Sequence, residues 1–524
     1  MASSGFKKVF LIGASLAAAS LIAVLILAAL KKRSAELRTR DWIVAVLQEK
    51  FKSDVQLQDF HVKVFPRMGV TGEGLLLQWR NADGAPPLIR IEKFSFDLGF
   101  LGIFRVPHRI QRIHLQHMVI TIPPREQRKP KPPSDGTKHQ PPQVIVDEID
   151  CDNTELVTLS NKPNKQPLYW EIHNLKLRDV GAEKPFAFHG TLTNAKPKGE
   201  IDTAGQFGPW NADDPGATPL DGKYAFDHAD LGPFPGIAGI LSSTGTYKGQ
   251  LDTLETKGQT DTPDFSLDRA GRAMNLHTDF SATVDGTNGD TLLHPVQALL
   301  GQSVIVAAGS VIKVPDQGHQ ITLDVTTPKA RIEDILQLAI NSDKPFLTGP
   351  VDIKARLSLP PGKQKVIDKM SLQGSFAILK GKWSSSQVRE KLQSFSRHAQ
   401  GEPEDEEAGS AVTDLKGNFT LNDGVIHFSQ LTFSVPGAAI DLAGTYEIKG
   451  GKIAMDGHLR MQARLSQTVT GAKSFFLKAI DPFFAKNGAG TVLPISITGT
   501  QESPVIGVSV FHKKIEKKMG KAVQ

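Results

Sequence analysis

The sequence predicts a mainly β chain: one N-terminal membrane helix, then a long series of antiparallel strands with a few short helices among them. Three observations predict it. From Val9 to Leu30 no residue is charged, and at 1.5 Å per residue ~20 such residues cross a ~30 Å hydrocarbon core. Beyond Phe51, apolar residues recur at every second position, the period of a strand with one dry face. Gly or Pro bounds each of these runs, as expected of strand ends.

The first eight residues form a short tail. Lys7 and Lys8 on one side and Lys31, Lys32 and Arg33 on the other bracket the apolar run. Ala17–Ala19 would serve as a cleavage motif, but the run continues well past it, which a signal peptide does not require. An uncleaved anchor is therefore expected over residues 9–30. The heavier positive flank on its C-terminal side by itself favours a cytoplasmic body.

After the anchor, Ile43, Val44, Leu47 and Phe51 fall at helical spacing, which predicts a short helix over Arg40–Phe51. The period then changes to two. Val62 and Val64 alternate with polar residues, as do Leu75, Leu77 and Trp79, then Phe94, Phe96 and Leu98, then Met118, Ile120 and Ile122. Seven prolines interrupt the pattern between residues 123 and 142, predicting an extended loop. A second loop is expected over Gly208–Pro219. The clearest strand runs through Ile453, Met455, Gly457, Leu459, Met461, Ala463 and Leu465, with Lys, Asp, His, Arg and Gln in the alternate positions. A short motif recurs at irregular spacing: Gly, any residue, aromatic. It occurs at Gly222 and Tyr224, Gly245 and Tyr247, Gly374 and Phe376, Gly417 and Phe419, and Gly444 and Tyr446. Serial antiparallel strands, each starting near a Gly that permits a bend, would produce it. Helices are expected at Arg331–Ile340, Gln387–His398 and Lys473–Phe484, the last crowded with Phe475, Phe476, Ile480, Phe483 and Phe484.

Charge distribution excludes a nucleic-acid binder. The net charge is +6, but residues 1–40 carry seven cations and one anion, so the remainder is neutral. Five Lys and one Glu in the tail from Lys513 leave residues 41–512 at −4, with no basic field for phosphates. Cys151, the one cysteine, has no partner for an internal disulfide. No phosphate-binding loop, dinucleotide fingerprint or nucleophile elbow is present. His114 and His117 lie three apart in a strand pattern, where they point to opposite faces and cannot share a metal. Neither enzymatic activity nor a cofactor or metal is expected.

Serial two-faced strands can hide their apolar sides in compact sandwiches or in one long sheet curled into a trough, and periodicity leaves both open. The anchor, the helix after it and Val62-Lys-Val-Phe65-Pro66-Arg-Met-Gly69 resemble the N-terminus of the AsmA family of bacterial envelope proteins. Ile110-Gln-Arg-Ile113-His-Leu115 and Val119-Ile-Thr-Ile122 fit the same family. So do Gly245-Thr-Tyr-Lys-Gly249, Gly258 with Pro263-Asp264-Phe265, Val284-Asp-Gly-Thr-Asn-Gly-Asp290, Phe433-Ser-Val435-Pro436-Gly437-Ala438, Gly471 with Lys473, Pro482-Phe-Phe484 and Pro494 to Thr500. The resemblance covers residues 1–122 and 220–510 and divides the chain accordingly. An N-terminal helix and β region covers 31–122, the Pro-rich loop 123–142, a middle β region 143–219, a C-terminal β region 220–510 and a basic tail 511–524.

The resemblance implies an inner-membrane anchor with the body in the periplasm, against the charge rule. It implies an elongated, curled antiparallel sheet, groove-like or taco-like, that shields the acyl chains of membrane phospholipid on the way to the outer membrane. It also implies a part in outer-membrane integrity and assembly, with other envelope proteins as possible partners. Ile453, Met455, Leu459, Met461 and Leu465 are the candidate groove lining. Phe475, Phe476, Ile480, Phe483 and Phe484 are the candidate lipid-contact helix. A non-enzymatic scaffold that assists insertion of envelope proteins is the alternative.

Overall fold

The computed structural model describes residues 36–63, 69–79, 86–97, 108–124, 144–160, 165–181, 184–195, 197–211, 214–267, 272–339, 345–384, 386–401, 413–464, 467, 490–500 and 504–508. The expected membrane helix at residues 9–30, most of the Pro-rich loop, Leu465 and the helix expected at Lys473–Phe484 lie outside these residues. Among the described residues no helix is long and apolar enough to cross a membrane.

Alternation of apolar and polar residues yields what it predicts, a chain that is almost entirely strand. Residues 36–51 are helical (α1). They lead into β1 (Ser53–Lys63), β2 (Gly69–Trp79), β3 (Ile89–Asp97), β4 (His108–Ile122), β5 (Val144–Thr158), β6 (Leu168–Val180), β7 (Phe186–Ala195), β8 (Lys198–Phe207) and β9 (Leu220–Asp230). β10 (Ile237–Ala238) is a two-residue strand before β11 (Ile240–Gln250), β12 (Thr253–Leu267), β13 (Met274–Val284), β14 (Thr291–Leu300), β15 (Ser303–Val314) and β16 (Gly318–Arg331). Then come α2 (Ile332–Ala339), β17 (Leu347–Thr348), β18 (Pro350–Leu359), α3 (Val366–Lys369), β19 (Ser371–Trp383) and α4 (Ser386–Gln400). The last strands are β20 (Thr413–Asn422), β21 (Val425–Val435), β22 (Ala438–Glu447), β23 (Lys452–Met461), β24 (Thr491–Thr500) and β25 (Pro504–Val508). The helices expected at Arg40–Phe51, Arg331–Ile340 and Gln387–His398 correspond to α1, α2 and α4; the one-turn α3 has no apolar period to announce it.

Each strand pairs with its neighbours in sequence, so the chain lays down one long sheet. β10 and β17 attach by two residues each to β12 and β19. One pairing departs from the expected antiparallel series. β4 and β5 run parallel, from His108 opposite Val144 to Ile122 opposite Thr158. Parallel neighbours need a long connection, because the chain must return to the starting edge. The Pro-rich segment between Ile122 and Val144 is that connection, so the sheet is mixed. Among the described residues β1 pairs only with β2, and β25 only with β24. In its pairing the sheet is therefore long and open, and the expected curl is not part of the ladder.

Three contacts join segments that the ladder order sets seven pairings apart. Phe51, just before β1, meets Trp210, just after β8, with ring centroids 5.6 Å apart. Thr158 at the end of β5 donates a hydrogen bond from Oγ1 to the Gly286 carbonyl after β13, at 3.2 Å. The Val366 amide, after β18, donates to the Pro235 carbonyl, after β9, at 3.3 Å. At the second junction Lys165 Nζ lies 2.6 Å from Asp290 Oδ1, with both side chains largely buried.

Among the described residues the buried apolar side chains form three clusters, with Leu192, Met274, Ala282, Val296 and Leu300 buried outside them. One occupies β1–β6, where Leu57, Leu75, Leu77, Ile91, Phe94 and their neighbours are buried, with Ile43, Leu47 and Phe51 of α1 packed on them. A second joins α2 to Ala330, Val351 and Ile378. The third places α4 residues Leu392, Phe395 and Ala399 against β21–β24.

Candidate lipid-facing surface

Cross-strand partners share a face of a sheet, so the register of β7–β13 assembles continuous rows. One row runs Phe188, Gly205, Gly222, Tyr247, Thr256, Ala282. The next runs Gly190, Thr203, Tyr224, Gly245, Gly258, Phe280, and a third Leu192, Ile201, Phe226, Ser243, Thr260, Thr278. None of these residues is charged. Asp202, Lys223, Lys257, Asp261 and Asp279 all fall at the alternate positions, on the exposed face. There His277 Nδ1 lies 2.6 Å from Asp261, and that hydrogen bond raises its pKa above the usual value.

The register also explains the Gly-x-aromatic motif, and not as a bend. Gly222 faces Tyr247 while Tyr224 faces Gly245. Gly374 faces Phe419 while Phe376 faces Gly417. Each pair of motifs is thus reciprocal in register, with an aromatic residue opposite a glycine of the adjacent strand. A Cβ at Gly222 would come within 2.6 Å of the Tyr247 hydroxyl, and one at Gly245 within 2.9 Å of Tyr224 Cε1. Glycine is needed because the space a Cβ would occupy is taken by the facing tyrosine and by backbone, the Ala204 carbonyl at 2.8 Å from the Gly222 position and the Lys257 carbonyl at 2.6 Å from the Gly245 position. The result is a low floor, with aromatic area exposed and few side chains standing above it.

Hydroxyl groups on this floor spend their protons on the sheet. Thr203 Oγ1 donates to the Lys223 carbonyl at 3.0 Å and contacts the Tyr247 hydroxyl at 2.6 Å, which leaves Tyr247 as donor in that pair. Ser243 Oγ donates to the Gln259 carbonyl at 3.0 Å, so the Tyr224 hydroxyl donates to Ser243 at 3.1 Å. Thr256 Oγ1 donates to the Ala282 carbonyl at 3.2 Å. Burial pushes both tyrosine hydroxyls above their ordinary pKa. These five hydroxyls, with their donors already satisfied, can meet hydrocarbon without stranding a polar hydrogen.

The candidate lining at β23 sits elsewhere. Met455, Leu459 and Met461 are buried in the cluster beneath α4, and Ile453 is half-buried against it. Leu465 and the five residues from Phe475 to Phe484 lie outside the described residues. The rows on β7–β13 were missed because Thr, Gly and Tyr do not read as greasy. The Gly-x-aromatic motifs at Gly222 and Gly245 were the signal that could have found them. His114 and His117 have separate acidic neighbours, Asp152 at 3.4 Å and Glu92 at 3.6 Å. Among the described residues no cluster of His, Cys, Asp and Glu could hold a metal. Comparison with protein-family models, curated proteins and solved structures finds no match to this chain.

Proposed function

We propose that this protein is a membrane-tethered lipid handler. Val9–Leu30 holds it in the bacterial inner membrane with the body in the periplasm. The uncharged face of its sheet shields phospholipid acyl chains in transit toward the outer membrane, in support of outer-membrane integrity. The observation that carries this reading is the wide, uncharged inner face of β7–β13. No apolar cluster of the described residues covers it, yet on β9, β11 and β12 its residues are half-buried or, at Ser243 and Thr262, buried, while most of their alternates are exposed.

The groove-like form of the sheet belongs to this proposal. Strands lie ~4.8 Å apart, so seven pairings span about 34 Å of flat sheet. The Phe51–Trp210, Thr158–Gly286 and Pro235–Val366 contacts bridge that span directly. These three contacts draw segments seven pairings apart together, which supports reading the uncharged face as a sheltered one. Each methylene kept from water there contributes ~0.8 kcal/mol, which needs no catalytic group.

Mass spectrometry of lipids retained by the full chain tests this reading. Phospholipid is expected with the wild-type chain and to fall about tenfold in Thr278→Glu, which puts a charge on the inner face. Thr244→Glu, on the outer face, leaves retention unchanged. No lipid above background in the wild type would sink the reading. The second reading, a scaffold for assembly of envelope proteins, is favoured by the packed cores at both ends of the sheet. It predicts protein crosslinks that survive Thr278→Glu.

A further inference from the structure

The outermost strand of a sheet carries a row of main-chain groups ready to pair with another strand. β1 is such a strand, since among the described residues it pairs only with β2. Its other edge is not bare. The Val62 amide donates to Glu36 Oε1 at 3.2 Å, and Arg40 Nη2 donates to the Leu57 carbonyl at 3.0 Å. With its one proton directed at Glu36, Val62 turns its main chain away from β2. Leu57 and Val62 both bury their side chains, and residues on one face of a strand direct their main-chain groups to the same edge. Both contacts therefore lie on the edge opposite β2. Glu36 and Arg40 are one helical turn apart on α1, so the helix lies beside β1 where a further strand would pair. Residues 36–51 extend about 24 Å as a helix, against about 36 Å for the eleven residues of β1.

From these contacts we infer that α1 guards the sheet edge: it withholds β1 from strand addition, and the strand it keeps out is β1 of a second copy of this chain. Charge favours a second copy. Antiparallel pairing of β1 with itself brings Asp54, near the start of the strand, toward Lys63 at the end of its copy, and both side chains are exposed. A two-fold axis then repeats each contact on both sides. Strand addition draws its affinity from main-chain hydrogen bonds, so neither a cavity nor a ligand is required. The helix is held differently along its length. Ile43, Leu47 and Phe51 fix its second half to the buried cluster, and the Phe51 ring also meets Trp210 at 5.6 Å. The first half reaches β1 through Glu36 and Arg40, while Leu37 between them is 52% exposed. Losing those two contacts frees the edge from Leu57 to Val62 and leaves the core covered. The inference is independent of the lipid reading above.

Disulfide crosslinking of the purified full chain tests the inference. Gln58→Cys places a thiol at an exposed position in the middle of β1, where antiparallel copies meet, and the native Cys151 is buried. Under mild oxidation Gln58→Cys should stay monomeric while α1 is intact. Combined with Glu36→Ala and Arg40→Ala it should give at least tenfold more linked dimer, and with Glu36→Ala alone an intermediate amount. Glu36→Gln, whose side-chain carbonyl still accepts from Val62, should keep the chain monomeric. Thr244→Cys, exposed on β11, is the control and should give no dimer in any background. A dimer through Gln58→Cys with α1 intact would overturn the guard. No dimer once Glu36 and Arg40 are replaced would overturn the second copy as the strand kept out. Equal linking at positions 58 and 244 would mean unspecific aggregation and would overturn it as well. Hydrogen exchange checks the contact itself. The Val62 amide should exchange at least tenfold faster in Glu36→Ala, with the β12–β13 amides unchanged; an unchanged Val62 would remove Glu36 from the edge.

Discussion

Substituting Gly72 by Ala tests the reciprocal packing of rings on glycines. Gly72 on β2 faces Phe94 on β3. A Cβ at Gly72 would lie 2.6 Å from Phe94 Cε1, and closer still to Cζ. The ring cannot retreat, because Phe94 is 7% exposed and hemmed in by the core that α1 covers. Forcing a methyl into such a site costs ~1–3 kcal/mol. Replacing Gly by Ala in a strand returns ~0.5–1 kcal/mol of chain entropy. The net expectation is a loss of about 1–2 kcal/mol. In a Phe94→Leu background the blocking ring is gone, and the next atom from the Cβ position is the Asp59 carbonyl oxygen, at 3.0 Å. There Gly72→Ala should be neutral or slightly stabilising, a coupling of ~1.5 kcal/mol between the two sites. Hydrogen exchange of the β2–β3 amides in the full chain reads the local stability. Gly181→Ala, whose Cβ would meet nothing within 4 Å, is the control and should be near zero. An equal cost for Gly72→Ala in both backgrounds would refute the ring as the reason for the glycine.

Lys165→Met leaves Asp290 without its cation at the β5–β13 junction. One-sided removal of a largely buried pair costs ~2–4 kcal/mol, so exchange at residues 285–290 should rise at least tenfold; no change would mean the junction does not bind the two segments together. Cys151 is 1% exposed, and its thiol pKa is pushed up to about 12, first by burial and then by Asp150 and Asp152. It should resist Ellman's reagent at pH 8 until urea unfolds β5, and prompt reaction in the folded protein would contradict the packing. His277 should titrate above its ordinary value by NMR, chiefly through its hydrogen bond to Asp261, and Asp261→Asn should bring it down. Because the folded-state pKa is raised, the contribution is complete below the unfolded value and disappears as pH rises through the folded one. An unchanged titration in Asp261→Asn would remove the pair from the account.

Much of the fold was legible because alternation is a local property. Lys452 to Met461 reads as a two-faced strand, and β23 buries Met455, Leu459 and Met461 while exposing Lys452, Asp456, His458 and Arg460. The helical spacing of Ile43, Leu47 and Phe51 likewise marked the face by which α1 packs. The parallel β4–β5 pair was hidden, since strand direction depends on where a long connection returns and not on the composition of either strand.

The sequence alone determined which residues of a regularly alternating strand such as β23 share a side, and that few helices interrupt the ribbon; the uncharged rows of β7–β13 emerged only with the register. Only the tertiary structure decided which part of that face is filled. Whether Leu459 lines a space or supports a helix depends on α4, which meets β21–β24 only after the chain has folded back. Register did the same for Gly222 and Gly245: pairing each with a tyrosine of the next strand turns two unremarkable motifs into a floor. Periodicity reports a side chain's direction, and what waits in that direction is set by segments far along the chain.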